Sequence, residues 1–161
     1  MPGRSIPVVF DVNIFIGAVT ETGGSFASWP SPPPVRGNLA ANAVGIVNDA
    51  REFALYVSEH ILVNVIRVLQ DKYRWDADRA AEYVSVIVDI AYASGGGEVS
   101  PTNTVTDCKD FEDNRILECA ESAGAMLIVS DDTDLLSMSP WRGTPIITAE
   151  DFARRTDASR R

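Results

Sequence analysis

Short runs of apolar residues alternate along this chain with longer stretches in which apolar positions return every three or four residues. Ile6–Phe10 (IPVVF) is apolar throughout and rich in β-branched residues, the pattern of a strand buried on both faces. Helical spacing follows over Asn13–Val19. Residues 20–37 (TETGGSFASWPSPPPVRG) are too rich in Gly, Ser and Pro for regular structure and predict a long loop. A helix over Leu39–Ala50 leads to a strand at Phe53–Val57 (FALYV). Ser58 then caps a helix reaching to about Tyr73, whose stripe is Ile61, Leu62, Val65, Ile66 and Leu69. Asp76 caps another over Ala77–Ala93, and the loop after it holds one short strand, Glu98–Ser100. Asp110 opens a helix to Ala123 that Gly124 ends. Met126–Val129 (MLIV) is a second clear buried strand, Pro145–Thr148 a last strand, and Ala149–Arg155 a short helix. Strands alternating with helices predict an α/β fold, a three-layer α/β/α sandwich with a mostly parallel sheet.

The chain has 161 residues, 45% hydrophobic and 23% charged, the make-up of one globular domain. We expect residues 1–156 to form that domain and 157–161 a basic tail. No apolar run approaches the roughly 18–20 residues that span a bilayer, so no membrane partner is expected. Asp11 and Asn13 interrupt the only apolar N-terminal stretch, which argues against a signal peptide. Cys108 and Cys119 are too few for a disulfide framework, which suggests two incidental thiols in a cytoplasmic protein.

The single histidine narrows the chemistry. Any Ser-His-Asp or Cys-His mechanism would run through His60, which the helical pattern places near a first turn, facing solvent. Carboxylates are the better candidates. Between Asp107 and Asp134 nine acids stand against two bases, leaving −7 of the chain's −9. Such a run is either a solvated face or an anionic pocket for hard divalent cations. In a parallel sheet, ligands bind beyond the carboxyl ends of the strands. Asp11 follows the first strand directly, Asp131 and Asp132 follow MLIVS, and Asp110 and Asp113 open the helix that leads into that strand. Taken singly, Asp110, Asp11, Asn13 and Ser130 also fit helix caps. Together at one sheet edge, Asp11, Asp110 with Asp113, and Asp131 with Asp132 make the carboxylate arrangement that two-metal phosphodiester chemistry requires.

The blocks FDVNIFIGAV, DFEDNRILECAESAGAMLIVSDDTDLL and GTPIITAEDFARR, in that order, resemble the PIN-domain ribonucleases, and more narrowly the VapC-like toxin components of toxin–antitoxin systems. The resemblance implies a five-stranded parallel sheet and Mg²⁺- or Mn²⁺-dependent cleavage of RNA. It implies catalytic roles for Asp11, Asp113 and Asp132, with Asp134 as an additional metal ligand and no such role for Asp131. A homodimer and a small antitoxin protein are the partners it implies. Where the family carries a glutamate in the helix after the second strand, this chain has Asn64; with Asn13, it is a supporting candidate. Glu59, five residues earlier, lies about 140° around the helix and does not replace it. On this basis Asn64→Glu is expected to strengthen metal binding, and Arg67, Arg115 and Arg142 are candidate RNA contacts. A second reading is a PIN-like module that has lost catalysis and binds RNA or a protein. A third, a phosphatase with Asp11 as nucleophile, lacks the second aspartate of a D-x-D pair.

Overall fold

In the computed structural model, which describes residues 5–20, 38–49 and 52–160, with side chains to Thr156, the run IPVVF forms the central strand β1 (Ile6–Phe10). Val8, Val9 and Phe10 have no exposed surface, as expected of a strand covered on both faces. Helices α1 (Val12–Thr20) and α2 (Leu39–Asp49) lead to β2 (Phe53–Ser58). Asn38 ties the two together: its Oδ1 accepts from Ala41 N at the start of α2, and its Nδ2 donates to Gly17 O. The Gly/Pro/Ser-rich segment lies outside the described residues, apart from Thr20, which belongs to α1. Helices α3 (Glu59–Tyr73) and α4 (Ala77–Ala93) begin at the expected caps, Ser58 and Asp76. Then come β3 (Gly97–Val99), α5 (Phe111–Ala123), β4 (Leu127–Val129), α6 (Thr133–Leu136), β5 (Ile146–Ile147) and α7 (Ala149–Arg160).

The five strands run in the order β3-β2-β1-β4-β5, and every pairing is parallel, so the sheet is parallel throughout rather than mostly so. Helices cover both sides. The chain builds outward from β1 to β2 and β3, then returns through α5 to the other side of β1. β1 and β4 therefore flank the point where the winding reverses, and a crevice opens at their carboxyl ends. Two helices depart from expectation. α6 is a four-residue turn with no periodicity to reveal it, and α7 runs on through Arg160, taking in residues 157–160 of the expected tail.

Two glycines are required by position. Gly124 ends α5 in the left-handed region (φ 62°), where its N–H reaches back to Ala120 and Glu121 carbonyls. Gly96 sits in the α4–β3 turn against the backbone of β2, where a Cβ would stand 1.9 Å from Leu55 O. That turn is also sewn to β2 by Ser94 Oγ, which accepts from Leu55 N at 2.9 Å. Gly96→Ala should therefore lower stability by about 2–3 kcal/mol, the cost of overpacking against backbone that cannot yield. Urea unfolding is the measurement, and an unchanged midpoint would show that the turn does not press on β2.

Candidate metal centre

Phe10 of β1 is aligned with Val129 of β4, and Asp11 N donates to Val129 O at 2.9 Å. The residues that follow each strand thus leave the sheet at one level. Asp11 is buried (4% exposed), and so is Ser130, which follows β4. Ser130 Oγ donates to Asp11 Oδ2 at 2.8 Å and accepts from Asp132 N at 3.0 Å, so one hydroxyl sets the distance between the two acids. Asp132 caps α6, its Oδ1 accepting from Asp134 N and Leu135 N. Asp110 is a cap in the same way: its Oδ1 receives the N–H groups of Glu112 and Asp113. The cap orients the first turn of α5 so that Asp113, itself buried, points at the other two acids. Ligand oxygens of Asp11, Asp113 and Asp132 all lie within 4.8 Å of one another.

The loop behind Asp113 is braced by Asn114, whose side-chain amide accepts from Cys108 N and donates to Cys108 O. Cys108 Sγ lies 3.7 Å from Asp113 Oδ2 as a weak donor. The other expected residues fall around the triad. Asn13, Asn64, Arg67, Glu112 and Asp110 line the same pocket of about 170 Å³ with the three acids. Asp134 lines the neighbouring depression with Asp107, Cys108 and Lys109 and is not in the triad. Asp131 turns away, its Oδ1 accepting from Ala149 N at the start of α7. Glu59 lies in a different depression, under β3, as its helical angle required. Of the three arginines, only Arg67 borders the acids. Arg115 stacks on Phe111 and pairs with Glu118, while Arg142 holds Asp107 and Glu121.

His60 does not simply face solvent. Its Nε2 donates to Glu112 Oε2 at 2.8 Å, and Asn64 Nδ2 donates to the same oxygen. Burial works against Glu112's charge, but these two hydrogen bonds and the nearby Arg67 hold its carboxyl below the usual range. Sequence reasoning passed over Glu112, because nothing near position 112 announces a partner on α3.

The triad has the opposite electrostatics. Burial, then the charge of Asp132, push Asp11 up to about 6 against the bond from Ser130. Burial and the charges of Asp132, Asp11 and Asp110 push Asp113 up to about 7. Among the described residues no basic side chain forms an ion pair with any of the three. Three converging carboxylates that resist ionising together, with no cation of their own, suit a hard divalent ion coordinated by oxygen.

A parallel α/β sheet with three carboxylates gathered at its switch point offers a site that could hold a metal ion. A family model described as PIN domain matches residues 7–134, and the chain belongs to that family. PIN domains are generally nucleases, typically dependent on divalent metals. No curated protein matches the chain, and among the described residues no helix is long and apolar enough to cross a membrane.

The raised carboxyls give a pH dependence with a definite sign. Folded Asp11 and Asp113 keep their protons at pH values where the unfolded chain, with ordinary aspartates, has lost them. The stability these two groups contribute is therefore fully present below about pH 4 and is lost as pH rises from there to about 6 for Asp11 and about 7 for Asp113. Asp11→Asn should flatten that slope in part, because it removes one titrating group and one of the charges that raise Asp113, whose burial and Asp132 neighbour remain. Thermal melts from pH 5 to pH 8 in EDTA are the measurement; identical profiles for the two proteins would contradict this account.

Proposed function

We propose that the chain is a Mg²⁺- or Mn²⁺-dependent endoribonuclease that cleaves RNA phosphodiester bonds, the toxin of a toxin–antitoxin pair. The observation that carries this reading is the convergence of Asp11, Asp113 and Asp132 at the switch point of a PIN domain. Those three would hold the cation and act as the catalytic set, with Asp134 a fourth acid on the adjoining turn. Bound there, a divalent ion would supply Lewis acidity, activating water near neutral pH and neutralising phosphate charge. The chain's own residues bind and orient. Ser130 fixes which Asp11 oxygen faces the pocket, and the Asp110 cap fixes the rotation of Asp113. Arg67, 55% exposed at the pocket's edge and 3.7 Å from Glu112, would meet a phosphate of the bound strand. Acids alone would repel RNA, so substrate affinity should itself depend on metal. The toxin role, the small antitoxin and the homodimer are supported by the sequence blocks that resemble VapC-like proteins, and a cytoplasmic setting by the two free cysteines.

Asn64 favours a second reading, a module that binds RNA or a protein without cutting, because an amide brings neither charge nor a base to the pocket. Glu112 also changes what Asn64→Glu would do: the new carboxylate would stand against Glu112, so the expected gain in metal affinity requires Glu112→Gln beside it.

Cleavage of a generic RNA in Mn²⁺, stopped by EDTA, is the expected activity. Asp11→Asn should reduce it beyond the roughly 10–100-fold that outer-shell changes cost at metal sites, while leaving the circular dichroism spectrum intact. Wild-type cleavage by Asp11→Asn would refute the assignment. Mn²⁺ binding without cleavage in the wild type would favour the module.

A further inference from the structure

Three side chains of α3, His60, Asn64 and Arg67, close on one carboxylate from the first turn of α5. They stand at i, i+4 and i+7, one face of a helix. His60 Nε2 and Asn64 Nδ2 both donate to Glu112 Oε2, and Arg67 Nη2 lies 3.7 Å from Oε1. A carboxylate has only acceptors to offer, so Asn64 can meet Glu112 only through its nitrogen. Turning the amide over would press Oδ1 against a carboxylate oxygen. Oδ1 is thereby directed away from Glu112, and among the described residues it receives no protein hydrogen bond. Asn64 is 7% exposed and shares its pocket with Asp11, Asp113 and Asp132.

We propose that Glu112 is a positioning residue that fixes the Asn64 amide with its oxygen presented to the three-aspartate pocket, making position 64 a neutral oxygen donor for a divalent cation. The inference rests on the metal centre proposed above. Amide oxygens are ordinary donors to hard cations, and a carboxylate behind a donor that fixes its orientation recurs at metal sites. The arrangement also gives a physical reason for the amide at position 64, since a carboxylate there would stand against the like charge of Glu112.

The test is Mn²⁺ affinity, by calorimetry on the full chain, for wild type, Glu112→Gln, Asn64→Ala and the double variant. In Glu112→Gln the introduced amide can pair with either end of the Asn64 side chain, so the orientation is released without loss of volume. Glu112→Gln should weaken Mn²⁺ binding about 10-fold, Asn64→Ala by a similar factor, and the pair by no more than either alone. Glu112→Ala should repeat the Glu112→Gln result, and equal melting temperatures in EDTA would show that the chains remain folded. Unchanged affinity in Glu112→Gln would overturn the proposal. So would an equal loss on adding Glu112→Gln to Asn64→Ala, because the carboxylate would then act by its charge and not through the amide. Mn²⁺ binding that Asp11→Asn abolishes but Glu112→Gln leaves untouched would sink this inference alone. A wild type that binds no Mn²⁺ would sink the metal centre with it.

Discussion

The register between β1 and β4 decides where the chemistry can be. Phe10 lies level with Val129, and the bond from Asp11 N to Val129 O carries the pairing one residue past the end of β1. Because the strand order reverses here, the chain leaves β1 for α1 and leaves β4 for α6, and the two departures open the crevice. A slip of one residue would turn Asp11 to the other face and separate it from Ser130. The register is held by apolar packing on both faces: Val8, Val9, Phe10, Ile128 and Val129 are wholly covered, and a slip would draw a polar end residue into a position they fill. Placement of the acids is thus a consequence of core packing and not of attraction among them, which is negative.

That repulsion shapes the rest of the site. Neutral donors meet the three aspartates: the Ser130 hydroxyl for Asp11, backbone amides for Asp132, the Cys108 thiol for Asp113. The nearby basic groups, His60 and Arg67, are directed at Glu112. An internal arginine or lysine would satisfy the acids permanently and leave no room for an ion; protons or an external cation can leave again. The raised carboxyls of Asp11 and Asp113 are the electrostatic trace of that arrangement, and Glu112, next to Asp113 in the chain but held below its usual range by His60, Asn64 and Arg67, shows that the effect is local.

Much of the fold was legible because parallel strands buried on both faces leave unbroken apolar runs, and IPVVF, FALYV and MLIV all do. The acids were legible for a related reason, since a carboxylate directly after such a run has to lie at the sheet edge. Asp113 could be placed because the Asp110 cap and Gly124 bracket its helix. What escaped had no local signal. The clasp on Glu112 joins residues 48 positions apart through side chains only. The apolar stripe of α3 was legible at Ile61, Leu62, Val65 and Leu69, but His60 beside it meets the first turn of α5, which no periodicity in residues 58–73 could reveal. Four residues are too few for α6 to show a helical period, and Gly96 looks like any loop glycine until β2 is laid against it.

Asp131 and Asp132 show how one turn serves site and scaffold together. Adjacent side chains beyond a strand point in different directions, so Asp132 faces the crevice while Asp131 accepts from Ala149 N and starts α7. α7 places Phe152 edge-on against Phe10, with ring centroids 5.6 Å apart, and against Phe53 at 4.9 Å. Phe10 in turn meets Phe15 of α1 at 5.8 Å. The residue immediately before Asp11 is therefore clamped by aromatic rings from α1 and α7, and the acid that stays out of the pocket helps to seat one of the helices that clamps it. Rigid support of this kind is what a set of mutually repelling carboxylates needs, because any slack would let them spread apart.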